Sequence, residues 1–405
     1  MKSLKSQLKW FLFAFLFSMA VLGLASTVNG TVTSSMMAQL GIMESQRGLL
    51  VTLQGAGTMV SVIIWAFWGE RTNKMLITVI GAALVLAASV TLMIHMGYFA
   101  LMPIFVVYGF GFTCIDVMSN AVAMDVYPKE KKVVLWIHAY FGVGAVAGSI
   151  AASWITELLG WQYAFLLLAG ILLIVLAVYG TTAYKAYPMT PYPNRHERKS
   201  EKLALGVLIK RKELWAIFFT ALFFGGSQMG PMIWLGDYFK TTLQSGTLAT
   251  FAIAALFLGT IASRFLSTLL IKRINPRTLF IIGALLASGS LVWLAFTGSD
   301  IMAIILTVLV GFFAGANFPL LVLMAGQIFP RYSSTVSSTI CMGYAVSTMT
   351  VPWLMGVLSK TTQTGMRLSF LLVAAAAAIM AVCVLPIKPA KEQQSGKEPM
   401  PDAAG

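Results

Sequence analysis

Residues 99–128 read FALMPIFVVYGFGFTCIDVMSNAVAMDVYP. No charged residue occurs between Phe99 and Ile115, and the carboxylates Asp116 and Asp125 follow within ten residues. A bilayer-spanning helix needs about 20 mostly apolar residues, and an ionised carboxylate inside it costs roughly 2.5–3.5 kcal/mol. The stretch therefore predicts a membrane-spanning helix whose acidic residues have specific tasks.

The whole chain has the composition of an integral membrane protein. Of its 405 residues, 58% are hydrophobic and only 10% are charged. Long apolar runs, without segments of alternating polarity, predict helices and not a β-barrel. The net charge of +14 comes largely from basic residues beside apolar runs. Such residues are topology signals, so we expect a lipid bilayer and no nucleic acid as partner.

Twelve membrane spans are predicted from these runs. They cover residues 10–28, 46–68, 75–95, 99–125, 133–156, 161–183, 213–238, 247–270, 278–296, 301–328, 335–358 and 367–387. With the N-terminus inside, the inner segments hold 23 of the 28 Lys and Arg residues and the outer loops hold four, while Arg264 lies within a span. This asymmetry predicts a multi-pass plasma-membrane protein with both termini cytoplasmic.

The two halves of the chain repeat at an offset of 202 residues. The matched pairs include Gly57/Gly259, Thr58/Thr260, Ser61/Ser263, Arg71/Arg273, Asn73/Asn275, Gly109/Gly311 and Pro128/Pro330. Two parallel six-helix repeats indicate a rocking transporter with its site in a central cavity between the halves. We therefore predict an all-α membrane protein with helical bundles at 1–183 and 213–387, a cytoplasmic linker at 184–212 and a cytoplasmic tail at 388–405.

The loop after the second span resembles a signature of the major facilitator superfamily. Residues 68–75 read WGERTNKM, in which Glu70, Arg71 and Lys74 fit an acid-Arg-x-Gly-base pattern. The second copy, KRINPR, retains Arg273. The resemblance implies the twelve-helix major facilitator fold, with these four residues contributing to a gate on the inner side.

Further segments are similar to the fucose-permease branch of that superfamily, which also holds glucose and other sugar carriers. They are GFTCIDVMSNAV in span four, HAYFGVGAVAGS in span five, GGSQMGPMIWLGDYF in span seven and GFFAGANFPLLVLMAGQIFP in span ten. Gln228 stands where the branch has a glutamate, and the first span lacks a carboxylate. The resemblance implies a sugar carrier, and these departures leave it fewer titrating groups for coupling.

The two aspartates of span four have different predicted tasks. Asp116 and Asn120 are four residues apart and share a helix face, whereas Asp125 lies on about the opposite face at the cytoplasmic edge. In one interpretation Asp116 carries the coupling proton or, together with Asn120 as a substrate ligand, binds sugar hydroxyls. In the other, Asp116 bonds to Asn120 and Ser119 and locks helix packing. The side chains of Asp116 and Asn120 also offer oxygen ligands suited to Na⁺. Asp125 is predicted to pair with Arg71 or Lys74 and to latch the gate.

Four other polar residues are candidate substrate ligands. Gln228 and Trp234 suit a sugar, because an amide bonds hydroxyls and an indole covers a pyranose face, although Trp234 fits an outer aromatic belt equally well. Asn317, two residues before a proline, predicts a kinked position that lines the cavity. Gln54 faces either the cavity or another helix.

Two basic side chains lie inside predicted spans. His138 either relays protons or binds substrate, or it is a packing residue. Arg264, in the inner half of span eight, is expected to be a structural partner for a helix end rather than a substrate clamp.

The motifs of common enzymes do not occur in the sequence. Without a P-loop, zinc spacing or nucleophile elbow, we expect neither catalysis nor a cofactor or metal. The leading prediction is a monomeric secondary transporter that moves a sugar or polyol by proton symport. The alternative is a proton-antiport exporter of hydrophobic drugs or metabolites, because 23 Met and 26 Phe can form an adaptable apolar cavity.

Overall fold

The computed structural model describes residues 2–41, 44–94, 97–127, 130–186, 206–361 and 365–388. These residues are helical almost throughout and form no strand. Twelve helical segments among them are long and apolar enough to cross a membrane, which confirms the predicted all-α architecture. The helices are α1 Lys2–Leu40, α2 Glu44–Trp68, α3 Lys74–Leu92, α4 Tyr98–Val126, α5 Lys131–Leu158, α6 Trp161–Ala186, α7 Lys212–Asp237, α8 Gly246–Leu270, α9 Pro276–Phe296, α10 Asp300–Ala314, α11 Asn317–Ile328, α12 Ser333–Thr361 and α13 Gly365–Cys383.

The first helix is longer than the sequence predicted. Its membrane-crossing part, Trp10–Val28, coincides with the predicted span, but the helix continues to Leu40. A single internal glycine costs a helix only about 1 kcal/mol, so Gly30 does not end it. Gly41, with a φ of 66°, ends it in the left-handed conformation that glycine adopts without steric cost.

The internal repeat is present in the packing. A Cβ atom on Gly57 would lie 2.1 Å from the carbonyl oxygen of Val106, where α2 crosses α4. A Cβ on Gly259 would lie 2.0 Å from the carbonyl oxygen of Val308, where α8 crosses α10. Both partners of the second contact are displaced by 202 residues from those of the first. Only glycine allows either pair of helices to approach so closely.

Contacts between the halves involve a small set of helices. The packing joins α12 to α2 and α4, α5 to α8, and α11 to α4 and α5. The residues that these helices turn towards one another therefore lie between the halves. The predicted domain boundaries stay a prediction, because most of the linker, residues 187–205, and nearly all of the tail, residues 389–405, lie outside the described ranges.

Span ten is interrupted close to the position where the sequence predicted a kink. Helix α10 ends at Ala314 and α11 begins at Asn317. The cause is Pro319, which has no N–H to donate to the carbonyl four residues earlier, and whose ring clashes with that carbonyl. The carbonyl of Gly315 is therefore free to accept a hydrogen bond from another helix.

Candidate functional site

An ion-paired cluster, which we call the latch, joins the two halves at the end of the bundle where α2 leads into α3. Nζ of Lys74 lies 2.7 Å from Oε2 of Glu70, 2.7 Å from Oδ2 of Asp125 and 2.7 Å from Oγ of Ser333. The side chains of Lys74 and Asp125 are only 10% and 6% exposed. The predicted pairing of Asp125 with the signature loop is thus present, and its partner is Lys74.

Glu70 also caps a helix of the opposite half. Its Oε1 accepts hydrogen bonds from the backbone N–H groups of Ser334, at 2.6 Å, and Thr335, at 3.2 Å, in the first turn of α12. The first N–H groups of a helix have no partner within it, and they carry partial positive charge that a carboxylate stabilises. Oγ1 of Thr335 in turn donates to the carbonyl of Ala66 on α2, at 3.0 Å. The bundle is therefore closed at the latch.

The two arginines of the predicted gate, Arg71 and Arg273, differ in how far they are buried. Arg71 is half-buried, one residue after Glu70. Arg273 is exposed, and within the described ranges its side chain makes no hydrogen bond or ion pair, so the structure does not place it in the latch as predicted. The reason lies in the neighbouring position: the repeat puts Lys272 where the first half has Glu70, and a cation does not cap a helix N-terminus.

Away from the latch, three polar side chains of the first half form a hydrogen-bonded chain. Nδ2 of Asn120 donates to Oδ1 of Asp116 at 3.1 Å and to its backbone carbonyl at 3.0 Å. Oδ1 of Asn120 lies 2.9 Å from Nε2 of His138 on α5. Because the amide nitrogen is committed to Asp116, its oxygen is the acceptor and Nε2 of His138 carries the proton. The predicted proton-coupling residues are thus brought together through Asn120.

Asp116 meets only neutral groups. Besides Asn120, its carboxylate accepts a hydrogen bond from Sγ of Cys341 on α12, at 3.7 Å. No cation of the described part of the chain bonds to it. Asp116 lies ten residues, or about 15 Å, before the end of α4, a candidate membrane span of 29 residues. The acid therefore lies near the middle of this span, half-buried, between the two halves.

An aromatic cluster of the second half faces this chain. Phe224 on α7, Phe318 on α11 and Tyr344 on α12 have ring centroids 5.6–6.1 Å apart. The ring of His138 meets that of Phe318 edge-on, at 5.0 Å. Sequence reasoning did not single out these three residues, because an aromatic residue in an apolar span gives no sign of the helix that it will face.

Arg264 on α8 bridges the halves. Its Nε donates to the carbonyl of Gly315 at 3.1 Å, and its Nη1 donates to the carbonyl of His138 on α5 at 2.7 Å. The first bond uses the carbonyl that Pro319 frees, so the expected role as partner of a helix end is present. A signal for it existed in the sequence, since a proline inside a span demands a donor and Arg264 is the one basic residue within a span other than histidine.

Of the predicted ligands on α7, one lies near the aromatic cluster and one does not. Gln228 is one helical turn beyond Phe224, and its Nε2 is fully buried without a hydrogen-bond partner among the described residues. Trp234 contacts Gly356, where a Cβ would lie 3.1 Å from the indole. Gly356 is twelve residues beyond Tyr344 on α12, a distance of about 18 Å along the helix. Trp234 is therefore remote from Asp116.

The other two predicted ligands lie against neighbouring helices. Cγ of Gln54 would meet a Cβ on Gly109 at 3.1 Å, two turns before Asp116 on α4. Asn317 is 1% exposed, and both polar atoms of its side chain lack partners within the described ranges. Its Oδ1 would lie 3.0 Å from a Cβ on Gly283 of α9, so the amide points away from the aromatic cluster. The structure thus separates Asn317 from the polar chain.

The described residues thus form twelve membrane-crossing segments in two parallel repeats, which a latch closes at one end and which enclose a polar site. This arrangement is typical of rocking membrane transporters. The chain belongs to the Major Facilitator Superfamily, whose sequence profile matches residues 14–257 and 231–403. The superfamily predicted from the signature loop is therefore confirmed.

Solved structures of other members show the same fold. An outward-facing crystal structure of FucP has a TM-score of 0.74 and 16% identity, covering 94% of this chain and 98% of that one. A point variant of the E. coli fucose:proton symporter FucP has a TM-score of 0.71 and 16% identity, covering 93% and 98%. The proton:xylose symporter XylE, bound to 6-bromo-6-deoxy-D-glucose, has a TM-score of 0.76 and 15% identity, covering 95% and 96%.

A relative by sequence is named as a regulator. The chain is 26% identical over 255 residues to the transcription regulatory protein OpdE of Pseudomonas aeruginosa. The match covers 60% of this chain and 59% of the length of that relative.

Proposed function

We propose that this transporter moves a sugar or polyol together with a proton by alternating access. It acts as a monomer in the plasma membrane, with both termini cytoplasmic. The observation that carries the proposal is the environment of Asp116, an acid near the middle of a membrane span that bonds only to the neutral groups Asn120 and Cys341. A carboxylate without a cation is costly in this setting, and proton uptake removes the cost.

The contrast with Asp125 supports this assignment. Asp125 is neutralised by Lys74, so its charge is structurally explained. Asp116 has no such neutralisation, and it is connected through Asn120 to His138, which offers a second site for proton exchange. The acid is half-buried between halves that must move apart during transport. A proton bound there would therefore be exposed to each side in turn.

The surroundings of Asp116 suit a hydroxylated substrate. Aromatic rings cover the apolar face of a sugar while amides bond its hydroxyl groups. Phe318 and Tyr344 provide the aromatic surface, and Nε2 of Gln228 provides an amide donor that has no hydrogen-bond partner among the described residues. Gln228 lies one helical turn from Phe224, whose ring packs against both aromatic rings. The fold neighbours FucP and XylE are a fucose:proton and a xylose:proton symporter, which supports the same class of substrate and coupling ion here.

In this proposal, the latch controls access from one side of the membrane to the site between the halves. With Lys74 bound to Glu70 and Asp125, and Glu70 capping α12, the predicted cytoplasmic side is closed. Opening of that side requires these bonds to break together, because they share Lys74 and Glu70. Substrate and proton binding between the halves would offset their loss.

The experiment is uptake into proteoliposomes under an imposed pH gradient, with sugars, polyols and their acidic derivatives as solutes. Asp116→Asn should abolish accumulation against a gradient while retaining exchange of solute at equal concentrations. Asp237→Asn is the matched control, because Asp237 is exposed at the end of α7. Replacing external Na⁺ by K⁺ tests whether sodium is the coupling ion.

Unchanged accumulation by Asp116→Asn would reject the coupling role. Accumulation that follows a sodium gradient and ignores a pH gradient would replace the proton by Na⁺. Proton-driven efflux of hydrophobic compounds, with no sugar transport, would favour the exporter alternative over the symporter.

A further inference from the structure

The guanidinium of Arg264 carries a charge within the membrane that no acidic side chain of the described residues neutralises. It lies six residues before the end of α8, about 9 Å from that end. Its hydrogen bonds go to the backbone carbonyls of Gly315 and His138, and none goes to a carboxylate of the described chain. Arginine stays protonated in proteins, so it cannot shed this charge as an acid can.

The three acids that lie between the halves bond to groups other than Arg264. Glu70 and Asp125 are paired with Lys74. Asp116 bonds to Asn120 and Cys341, not to Arg264. The acid and the base thus bond to different neutral groups and form no ion pair with each other.

Part of the guanidinium remains open for a ligand. Of its five N–H donors, the two carbonyl bonds occupy one on Nε and one on Nη1. Arg264 is half-buried, and its unpaired Nη2 is not among the fully buried polar atoms of the described residues that lack partners. The two carbonyl bonds fix the plane of the group, and Gly142 leaves room beside it, since a Cβ there would lie 3.4 Å from Nη1. The remaining donors are therefore held in a fixed orientation between the halves.

We propose that the substrate supplies the missing negative charge, and that it is a sugar acid whose carboxylate binds Arg264. This assignment rests on the proposed symport function. It narrows the substrate from sugars and polyols in general to those that carry a carboxylate. The planar fork of arginine matches a carboxylate geometrically, and bonds between ionised groups are about twice as strong as neutral ones. The hydroxyl groups then face Gln228 and the aromatic cluster.

The charges in this arrangement balance. A sugar acid carries one negative charge, and Asp116 takes up one proton, so one substrate and one proton cross with no net charge. Uptake would then respond to a pH gradient but not to membrane potential. Symport of a neutral sugar with a proton carries one positive charge inward and responds to both. The electrical response of transport therefore separates the two classes of substrate.

The test uses the full-length protein in proteoliposomes, with D-gluconate, D-glucuronate and D-galacturonate against D-glucose, D-galactose and sorbitol. We expect the acids to raise the melting temperature and to accumulate under a pH gradient without net current. Arg264→Gln should weaken acid binding at least about tenfold, because it leaves the carboxylate without its cation. Arg264→Lys should retain part of the affinity, and Lys240→Gln, at an exposed site, should retain all of it.

Several outcomes overturn the assignment. Neutral sugars that accumulate with inward current, while acids neither bind nor compete, would reject it and leave proton symport intact. Equal acid affinity in Arg264→Gln and wild type would also reject it. Arg264-dependent binding of acids without any uptake driven by a pH gradient would support this assignment and reject the proposed coupling. If Arg264→Gln does not fold, two measurements still test the assignment. Acid affinity should be lower in Arg264→Lys than in wild type, and acid uptake by the wild type should carry no net current; the opposite results would reject the assignment.

Discussion

Nζ of Lys74 lies 2.7 Å from Oδ2 of Asp125, and the same nitrogen holds Glu70 at the same distance. One cation thus neutralises two acids while Glu70 caps α12 from the opposite half. Because all three side chains are largely buried, the cluster depends on each of its members. Lys74 is the residue on which closure of this side of the bundle rests.

Replacing Lys74 should open the latch end. Breaking a buried ion pair costs about 3–5 kcal/mol, enough to shift a two-state equilibrium by more than about tenfold. In Lys74→Met we expect Cys341, which is buried near Asp116, to react with a small maleimide at least about ten times faster than in wild type. The readout is the labelling rate of its peptide by mass spectrometry.

Lys272→Met is the control for this variant. Lys272 occupies the equivalent position to Glu70 in the second repeat and is exposed. Its replacement removes the same charge without breaking an ion pair of the described chain, so the labelling rate should not change. Equal labelling rates in Lys74→Met and wild type would contradict the role of the latch.

Bound substrate should protect Cys341 from the same reagent. Its Sγ donates to Oδ2 of Asp116, so a ligand that occupies this region removes space for the maleimide. We expect saturating substrate to slow the labelling of Cys341 several-fold and to leave Cys383, near the end of α13, unaffected. Slowing of both cysteines to the same extent would indicate a global change in the protein rather than occupancy of the site.

The two equivalent glycines of the repeat should be equally sensitive to a methyl group. Gly57→Ala and Gly259→Ala each force a Cβ to about 2 Å from a backbone oxygen, and overpacking of this kind costs about 1–3 kcal/mol. We expect both variants to lower the melting temperature in detergent by several degrees. Gly170→Ala, on an open face of α6 with no atom within 4 Å of the new Cβ, should leave it unchanged or raise it slightly. A large difference in melting temperature between Gly57→Ala and Gly259→Ala would show that the two equivalent helix crossings do not contribute equally to stability.

Restoring an amide N–H at position 319 should impair transport rather than folding. In Pro319→Ala the new N–H competes with Arg264 for the carbonyl of Gly315 and favours a continuous helix. We expect the uptake rate to fall about tenfold while the melting temperature stays the same or rises. Pro276→Ala is the control, because Pro276 lies in the first turn of α9, where the missing N–H has no helical partner. Normal uptake by Pro319→Ala would show that the break in span ten is dispensable.

The sequence alone determined the features that depend on composition and local geometry. Apolar runs of sufficient length determined twelve spans, and the described residues form the same number of apolar helical segments long enough to cross a membrane. Pro319 determined the break between α10 and α11, because a missing N–H acts on the carbonyl four residues away whatever surrounds it. The spacing of Asp116 and Asn120 likewise determined that they share a helix face, and on that face the structure forms a hydrogen bond between them.

Contacts between distant parts of the chain were decided only by the tertiary structure. The sequence offered Arg71 and Lys74 equally as partners of Asp125, and packing selected Lys74. The sequence left open whether Trp234 belongs to a sugar site or to an aromatic belt. In the structure it packs against Gly356, about 18 Å along α12 from Tyr344 of the aromatic cluster.

The contacts of Arg264 illustrate why the sequence predicts local features but not contacts between distant helices. Arg264 meets the carbonyl of His138 across 126 residues of sequence, and that contact exists only because α5 and α8 cross there. Helical periodicity fixes which residues share a face, but which two faces meet depends on the packing of all the helices together. Whether a charged side chain such as Arg264 has an acidic partner can therefore be judged only when the packing of all the neighbouring helices is known.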